Sequence, residues 1–167
     1  MLTELTEFMF ENQFGIAGKI VGNDADPVLM YCVETSVQLT LAELNENLRQ
    51  IYVEAYTNPD VLNLINEKMS GAISAIFGKY MPDCKTSDFY EIEIGMSAFM
   101  RGYMSYPCDM YFTLEKKLSR FLDMSLSVFH VPEDESRRAV EYIASLDIRK
   151  VANDVMQYLF SALEMKF

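Results

Sequence analysis

The sequence is poor in the residues from which most catalytic and metal sites are built. It has one histidine, His130, no tryptophan, and three cysteines, Cys32, Cys84 and Cys108, that form no C-x-x-C pair. A histidine-based triad has only one candidate base, and no G-x-S-x-G motif supplies a nucleophile. Glu-x-x-His pairs and glycine-rich phosphate loops are also missing. We therefore expect no enzymatic activity, no cofactor and no metal ion, and we interpret His130 as a loop residue.

Basic residues and long apolar runs are scarce as well. The 14 Lys and Arg residues face 25 Asp and Glu residues, so the net charge is −11 and the isoelectric point is about 4.5. Such a chain lacks the clustered cations that bind nucleic acid or an anionic membrane. No run of about 18 uncharged apolar residues predicts a membrane span. The start "MLTELTEFMF" lacks the basic region of a signal peptide. Together with the unpaired cysteines, these features predict a cytoplasmic location.

Apolar residues with helical spacing are abundant. Half of the 167 residues are hydrophobic, and 12 are methionine, a residue that fills irregular cores and adaptable binding surfaces. Between breakers such as "GNDADP", "TNP" and "HVPEDES", apolar residues recur at steps of three and four. This pattern predicts an all-α fold, a bundle of six to eight helices, in one domain over residues 1–167. The predicted helices lie at about 2–20, 27–56, 59–80, 88–106, 109–129, 133–145 and 147–163.

Capping residues give several predicted helix starts. Asp26 with Pro27, and Asn58 with Pro59, have the order expected of a helix N-terminus. Ser87 is expected to cap the helix that follows "MPDCKTSD". "YEIEI" within that helix alternates like a strand, but no second strand is available to pair with it, so we predict helix.

The stretch "FYEIEIGMSAFMRGYMSYP", residues 89–107, is apolar on more than one face. A helix of that kind is expected in the middle of a fold, where neighbouring Met and aromatic side chains can leave a cavity for a small, largely apolar ligand. Glu34, in an otherwise apolar turn, is the candidate for orienting a cationic or hydroxylated ligand. Glu91 and Glu93 are two positions apart and do not share a helix face. The other predicted lining residues are Phe8, Met30, Tyr31, Met96, Phe99, Met100 and Tyr103.

Two long apolar stripes near the C-terminus predict a contact between two copies of the chain. Cyclic dimers are the commonest oligomers, and they use self-complementary surfaces. We therefore expect a homodimer. The residues predicted for its interface are Tyr111, Leu114, Leu118, Phe121, Leu122, Val151, Val155, Leu159 and Leu163.

The order of these segments resembles the C-terminal ligand-binding and dimerisation domain of TetR-family transcriptional regulators. The stretches that carry the resemblance are "NDADPVLMYCVETSV", "YTNPDVLNLINEK", "FMRGYMSYP" with its Arg101-Gly102 step, and "DIRKVANDVMQYLFSAL". The resemblance implies a central helix after the Asp-Pro break and control of DNA binding by a ligand. The family's helix-turn-helix is absent from these 167 residues, so DNA is expected as a partner only through such a segment elsewhere.

Two other classes of protein stay open. A stand-alone helical binding module, either a carrier of hydrophobic metabolites or a protein-interaction adaptor, explains the methionine content and the acidity equally well. An enzyme is the third possibility, because an all-α fold excludes no activity.

Overall fold

A computed structural model describes the backbone of residues 2–22 and 26–166, and the side chains of these residues apart from 13, 14 and 166. Every regular element in these ranges is helical, which confirms the predicted all-α fold. A 3-10 turn over Gly78–Tyr80 extends the fourth helix. The helices are α1 (Leu2–Val21), α2 (Pro27–Leu44), α3 (Glu46–Ala55), α4 (Pro59–Phe77), α5 (Thr86–Ser105), α6 (Leu114–Val128), α7 (Glu133–Ser145) and α8 (Ile148–Lys166).

The two predicted Asx-Pro helix starts are confirmed. Asp26 Oδ1 accepts a hydrogen bond from the backbone N–H of Val28 at 2.7 Å, and Pro27 occupies the first turn of α2. Asn58 Oδ1 accepts from the backbone N–H of Val61 at 3.2 Å, and Pro59 opens α4. Each cap satisfies backbone donors that the first helical turn leaves unpaired, so it fixes where the helix begins.

The predicted helix over 27–56 is wrong in one respect, because it is two helices. Asn45 has an extended backbone, with φ −142° and ψ 115°, and separates α2 from α3. Its side chain accepts a hydrogen bond from the backbone N–H of Leu48 at 3.0 Å, so it caps α3. The apolar spacing runs across this break unchanged, which is why periodicity alone missed it.

Two other predicted boundaries also need correction. Ser87 lies inside α5 rather than at its cap, because the Asp88 carboxylate accepts from the backbone N–H of Lys85 at 2.6 Å and starts the helix earlier. The helix predicted over 109–129 begins only at Leu114 and is capped by Thr113. Asp109 prevents an earlier start, since its Oδ1 accepts from the backbone N–H of Phe112 at 2.7 Å and closes a turn.

The helix at the middle of the fold is α2 and not α5. α2 packs against all the other α-helices of the described chain, and its buried residues lie on every side, including the polar Thr35, Ser36, Gln38 and Thr40. α5 packs against α2, α3, α4 and α6 and leaves Ile94 exposed. The apolar residues of α5 outside its buried face had suggested a central position that the helix does not have.

Candidate functional site

A carboxylate lies inside the protein between the helices that pack on α5. Glu93 is only 5% exposed. Its side chain has no hydrogen-bond or ion-pair partner among the described residues. Burial raises the pKa of Glu93 to about 8, because a charged carboxylate loses the stabilisation that water gives it. A buried and unpartnered ionisable group of this kind is a common property of functional sites.

Helix geometry explains why Glu93 points inward. The buried face of α5 is formed by residues at steps of three and four, which bring them to one side of the helix. Glu93 falls in the same phase as these residues, so it enters the core together with them. The other buried members of this face are Phe89, Met96, Ser97, Met100 and Met104.

Two buried tyrosines lie close enough to Glu93 to interact with its charge. Burial raises the pKa values of Tyr31 and Tyr56, and the nearby Glu93 raises both further. Gln38 Nε2 donates a hydrogen bond to Tyr56 Oη at 3.0 Å and lies 3.6 Å from the sulfur of Met104. We call Tyr31, Gln38, Tyr56 and Glu93 the interior polar cluster. Its members come from α2, the end of α3, and α5.

Other polar atoms in the core also lack partners among the described residues. They are Ser36 Oγ on α2, Thr6 Oγ1 on α1 and Asn66 Oδ1 on α4. Buried polar atoms in folded proteins nearly always have a hydrogen-bond partner, and an unpaired one is explained by a bound water or ligand or by a functional role. The core therefore has more hydrogen-bonding capacity than the described side chains use.

Some of the predicted lining residues lie at or near the interior polar cluster. Tyr31 is a member of it, and its ring meets Phe77 and Phe129 edge-on, with centroids 5.0 and 6.0 Å apart. Met96 and Met100 share the buried face of α5 with Glu93.

The remaining predicted residues are spread over other parts of the core. Phe99 stacks on Phe121 of α6, with ring centroids 5.3 Å apart, and Tyr103 meets the same ring edge-on at 6.1 Å. Phe8 is buried on α1, and Met30 lies against Gly18, where an added Cβ would come within 2.9 Å of its methyl group. None of the eight predicted residues lines a surface cavity found among the described residues, and their common role in binding a ligand stays a prediction.

Glu34 was the one carboxylate predicted to face a ligand. It is half-buried on α2, and burial raises its pKa to about 7. Sequence reasoning missed Glu93, which lies deeper and has the larger shift. The sequence did contain a sign of its burial, because its spacing places it on the same side of the helix as Phe89, Met96 and Met100. The apolar residues directly before and after Glu93 instead favoured a buried face of α5 that excludes it.

The predicted dimer residues divide into those enclosed by the chain and those near its surface. Of the latter, Tyr111 is 77% exposed in the loop before α6, and Val151 and Leu163 are half-buried on α8. A contact between copies stays a prediction, and in this conformation it would use other faces of α6 and α8, where Met124, Val128, Tyr158 and Phe160 are exposed. The enclosed residues are Leu114, Leu118, Phe121, Leu122, Val155 and Leu159.

A second set of buried charges is fully paired. Glu43, near the end of α2, accepts hydrogen bonds from Lys117 Nζ at 3.1 Å and from the backbone N–H of Cys108 at 2.8 Å, and it lies 3.2 Å from Arg49 Nη2. Arg49 Nη1 also donates to the carbonyl of Met104 at 2.8 Å, and Lys117 donates to that of Tyr106. These bonds attach the loop after α5 to α2, α3 and α6.

The charge state of Glu43 contrasts with that of Glu93. Burial alone would raise the pKa of Glu43, but the Cys108 and Lys117 hydrogen bonds and the charges of Lys117 and Arg49 outweigh it and lower the pKa. Glu43 is therefore an anion held by two cations, whereas no cation among the described residues pairs with Glu93. This contrast makes Glu93, and not Glu43, the candidate for contact with a ligand.

Two of the surface cavities between described residues have volumes of about 500 Å³. One lies between α3 and the end of α5, lined by Arg49, Val53, Thr57 and Ser105 among others. The other lies between α6 and α7 and has His130 among its lining residues. His130 lies in the turn between these helices with φ 57°, as predicted for a loop residue. Neither of these cavities is lined by the interior polar cluster.

Neither a membrane span nor a metal cluster is found in the described ranges. Over residues 2–22 and 26–166, no helix has both the length and the apolar character needed to cross a bilayer. The same residues bring together no group of three or more His, Cys, Asp or Glu side chains suited to a metal ion. Comparisons with protein-family models, with curated proteins and with solved structures return no match for this chain.

Proposed function

We propose that the chain is the effector-sensing and dimerisation domain of a TetR-like transcriptional regulator. The effector is a small, largely apolar molecule that binds in the core between α2 and α5. The observation that carries this proposal is the buried Glu93, which has no partner among the described residues and shares the α5 face with Met96, Met100 and Met104. Because methionine side chains are flexible, this face can repack around a guest molecule.

In this proposal, DNA is bound by a helix-turn-helix outside these 167 residues, and the effector controls that binding. Effector binding shifts the population between two arrangements of the helices, and the shift in free energy can be no larger than the difference in binding free energy for the two arrangements. α2 is suited to transmit the change because it contacts all the other α-helices of the described chain. Exposed apolar residues on α6 and α8, namely Met124, Val128, Tyr158 and Phe160, are the proposed contact with a second copy.

Native mass spectrometry of the chain purified without added ligand tests this proposal. We expect a dimer that carries additional small-molecule mass. The variant Ser97→Leu adds a bulky side chain beside Glu93 on the buried face of α5, so its bound mass should fall about tenfold or more through overpacking of the site. Ala98→Leu is the matched control, because Ala98 is exposed on the same helix and its replacement should leave the bound mass unchanged.

The outcome that contradicts the proposal is a chain without bound mass in wild type and in both variants. Equal loss of bound mass from Ser97→Leu and Ala98→Leu would also remove the site from the buried face of α5. A circular dichroism melt of each variant shows whether a lost ligand reflects a filled site or an unfolded chain.

A stand-alone interaction module is the second candidate, and the loop between α5 and α6 favours it. Tyr106 is 63% exposed, Met110 80% and Tyr111 77%, and the loop is attached to the core through Lys117 and Glu43. Exposed aromatic and Met side chains on a fixed loop are typical of protein contacts. A bare monomer in the native mass spectrum would move this adaptor function ahead of effector sensing.

A further inference from the structure

We propose that the interior site accepts an organic cation, a molecule with an apolar body and an ammonium-like group, for which Glu93 is the counter-ion. This inference rests on the proposed function and names the chemical class of its effector. The geometry behind it is the Glu93 carboxylate on the buried face of α5, near Tyr31 of α2 and Tyr56 after α3, with no cation beside it among the described residues.

No buried basic side chain in the described part of the chain is available to pair with Glu93. Arg49 and Lys117 are the buried basic residues in the described ranges, and both are bound to Glu43. A charged carboxylate in a core is costly unless a cation pairs with it. An external cation is therefore the partner that allows Glu93 to be charged where it lies.

The surroundings of Glu93 fit an organic cation better than a metal ion or an anion. Tyr31 and Tyr56 offer aromatic rings, and cations bind to the faces of such rings with more strength when water is excluded. Met96 and Met100 supply soft, deformable apolar surface for the body of the molecule. An anionic ligand would keep Glu93 from ionising and would gain no ion pair from it, whereas the net charge of −11 raises the local concentration of cations around the whole chain.

Without a ligand, Glu93 is protonated at neutral pH, since burial raises its pKa to about 8. A cation therefore replaces a proton when it binds, and binding releases about one proton to the buffer. The other titratable groups that interact with Glu93 are Tyr31 and Tyr56, which stay neutral because their pKa values are raised. The buried polar side chains of α4 are uncharged, and the one buried charge on α6, Lys117, is paired with Glu43.

The test compares two probes of the same shape and different charge. Benzyltrimethylammonium is the cation, and 2,2-dimethylpropylbenzene is its neutral counterpart, with carbon in place of nitrogen. Binding of each is measured by isothermal titration calorimetry to the wild type, to Glu93→Gln, and to Glu91→Gln. The last variant is the matched control, because Glu91 is exposed on the same helix.

We expect the cation to bind the wild type and Glu91→Gln alike, and to bind Glu93→Gln roughly 30-fold or more weakly, as for a buried charge pair that loses one partner. Its affinity should rise about tenfold per pH unit between pH 6 and pH 8, and this rise should vanish in Glu93→Gln. In buffers of different ionisation enthalpy, the wild type should release about one proton per cation bound.

Different failures separate the two proposals. If Glu93→Gln binds the cation as well as the wild type does, or if only the neutral probe binds, the cation class is overturned while an interior effector site stands. A co-purified neutral or anionic molecule at the site has the same meaning. If neither probe binds and the native mass spectrum shows no bound molecule, effector sensing fails together with the cation inference.

Discussion

Replacing Lys117 by methionine lowers the free energy of unfolding by about 3–5 kcal/mol, the usual effect of removing one partner of a buried ion pair. Lys117 is completely buried, and its ammonium group holds both Glu43 and the carbonyl of Tyr106. Methionine keeps most of the volume and removes the charge, so the loss measures the interaction rather than a cavity. Urea denaturation followed by circular dichroism gives the value.

Lys116→Met is the control for this result. Lys116 is the preceding residue and is exposed, and its ammonium group donates to the carbonyl of Tyr111 at 3.0 Å. A surface contact of this type contributes little, so we expect a change within about 0.5 kcal/mol. If the two variants lost equal stability, Lys117 would not hold the buried charges together.

A double variant shows whether the stability lost in Lys117→Met comes from the Glu43 carboxylate, which no longer has Lys117 as a partner. In Lys117→Met, Glu43 keeps Arg49 and the backbone N–H of Cys108 as partners, but it loses one cation. Adding Glu43→Gln removes the carboxylate and should recover part of the lost stability, since a neutral amide is less costly to bury than an anion. Amide exchange at Cys108 should speed up in the single variant, because this amide donates to Glu43.

Replacing Glu93 by glutamine makes the protein more stable at pH 8 and reduces the dependence of its stability on pH. Burial raises the pKa of Glu93 to about 8, above its value of about 4.3 in an unfolded chain. Between these two values the native state keeps a proton that the unfolded state has released. The free energy of unfolding therefore falls as the pH rises through this window, by up to about 1.4 kcal/mol per unit.

We expect the wild type to lose about 2–4 kcal/mol through this group between pH 5 and pH 8. Glutamine cannot ionise, so Glu93→Gln should lose much less over the same range. A smaller decline remains in the variant, because burial also raises the pKa of Glu34, to about 7, with the same sign. The measurement is urea denaturation at four pH values, with Glu91→Gln as the control that keeps the wild-type slope.

The same substitution is expected to stabilise the fold at pH 8 and to weaken the binding of an organic cation. A residue that only supports the fold would not show this pair of effects. Parallel stability curves for the wild type and Glu93→Gln would mean that the Glu93 carboxylate is hydrated in solution, and its role as a buried counter-ion would then fail.

Much of the fold could be predicted because its boundaries depend on local chemistry. Asp26 and Asn58 cap helices with side-chain oxygens, and the prolines that follow them have the backbone angle of a first helical turn. Asn45 followed by Glu46 carried a similar signal within the helix predicted over 27–56. It was outweighed by apolar spacing that continues in phase from α2 into α3.

The candidate site was harder to predict because it breaks the rule on which sequence reading depends. Glutamate is rarely buried without a partner, so Glu93 was expected to face water. The buried face of this helix was therefore predicted to run through Ile92, Phe99 and Tyr103. The structure buries the neighbouring phase and leaves Ile94 49% exposed. Both faces of α5 carry apolar residues at helical spacing, so periodicity favours neither of them. Only the packing of α5 against α2, α3 and α4 shows which face is buried.

The paired charges around Glu43 also bear on how the chain reaches its native state. Its contacts join residues that are distant in sequence, with separations of 55 for Arg49 to Met104, 65 for Cys108 to Glu43 and 74 for Lys117 to Glu43. Contacts that close such long loops are costly in chain entropy before the surrounding helices have met. We expect them to form after the rate-limiting barrier, so that Lys117→Met speeds unfolding in stopped-flow experiments and leaves the refolding rate almost unchanged. The paired charges would then slow unfolding and so prolong the lifetime of the folded protein, while they would have little effect on the folding rate.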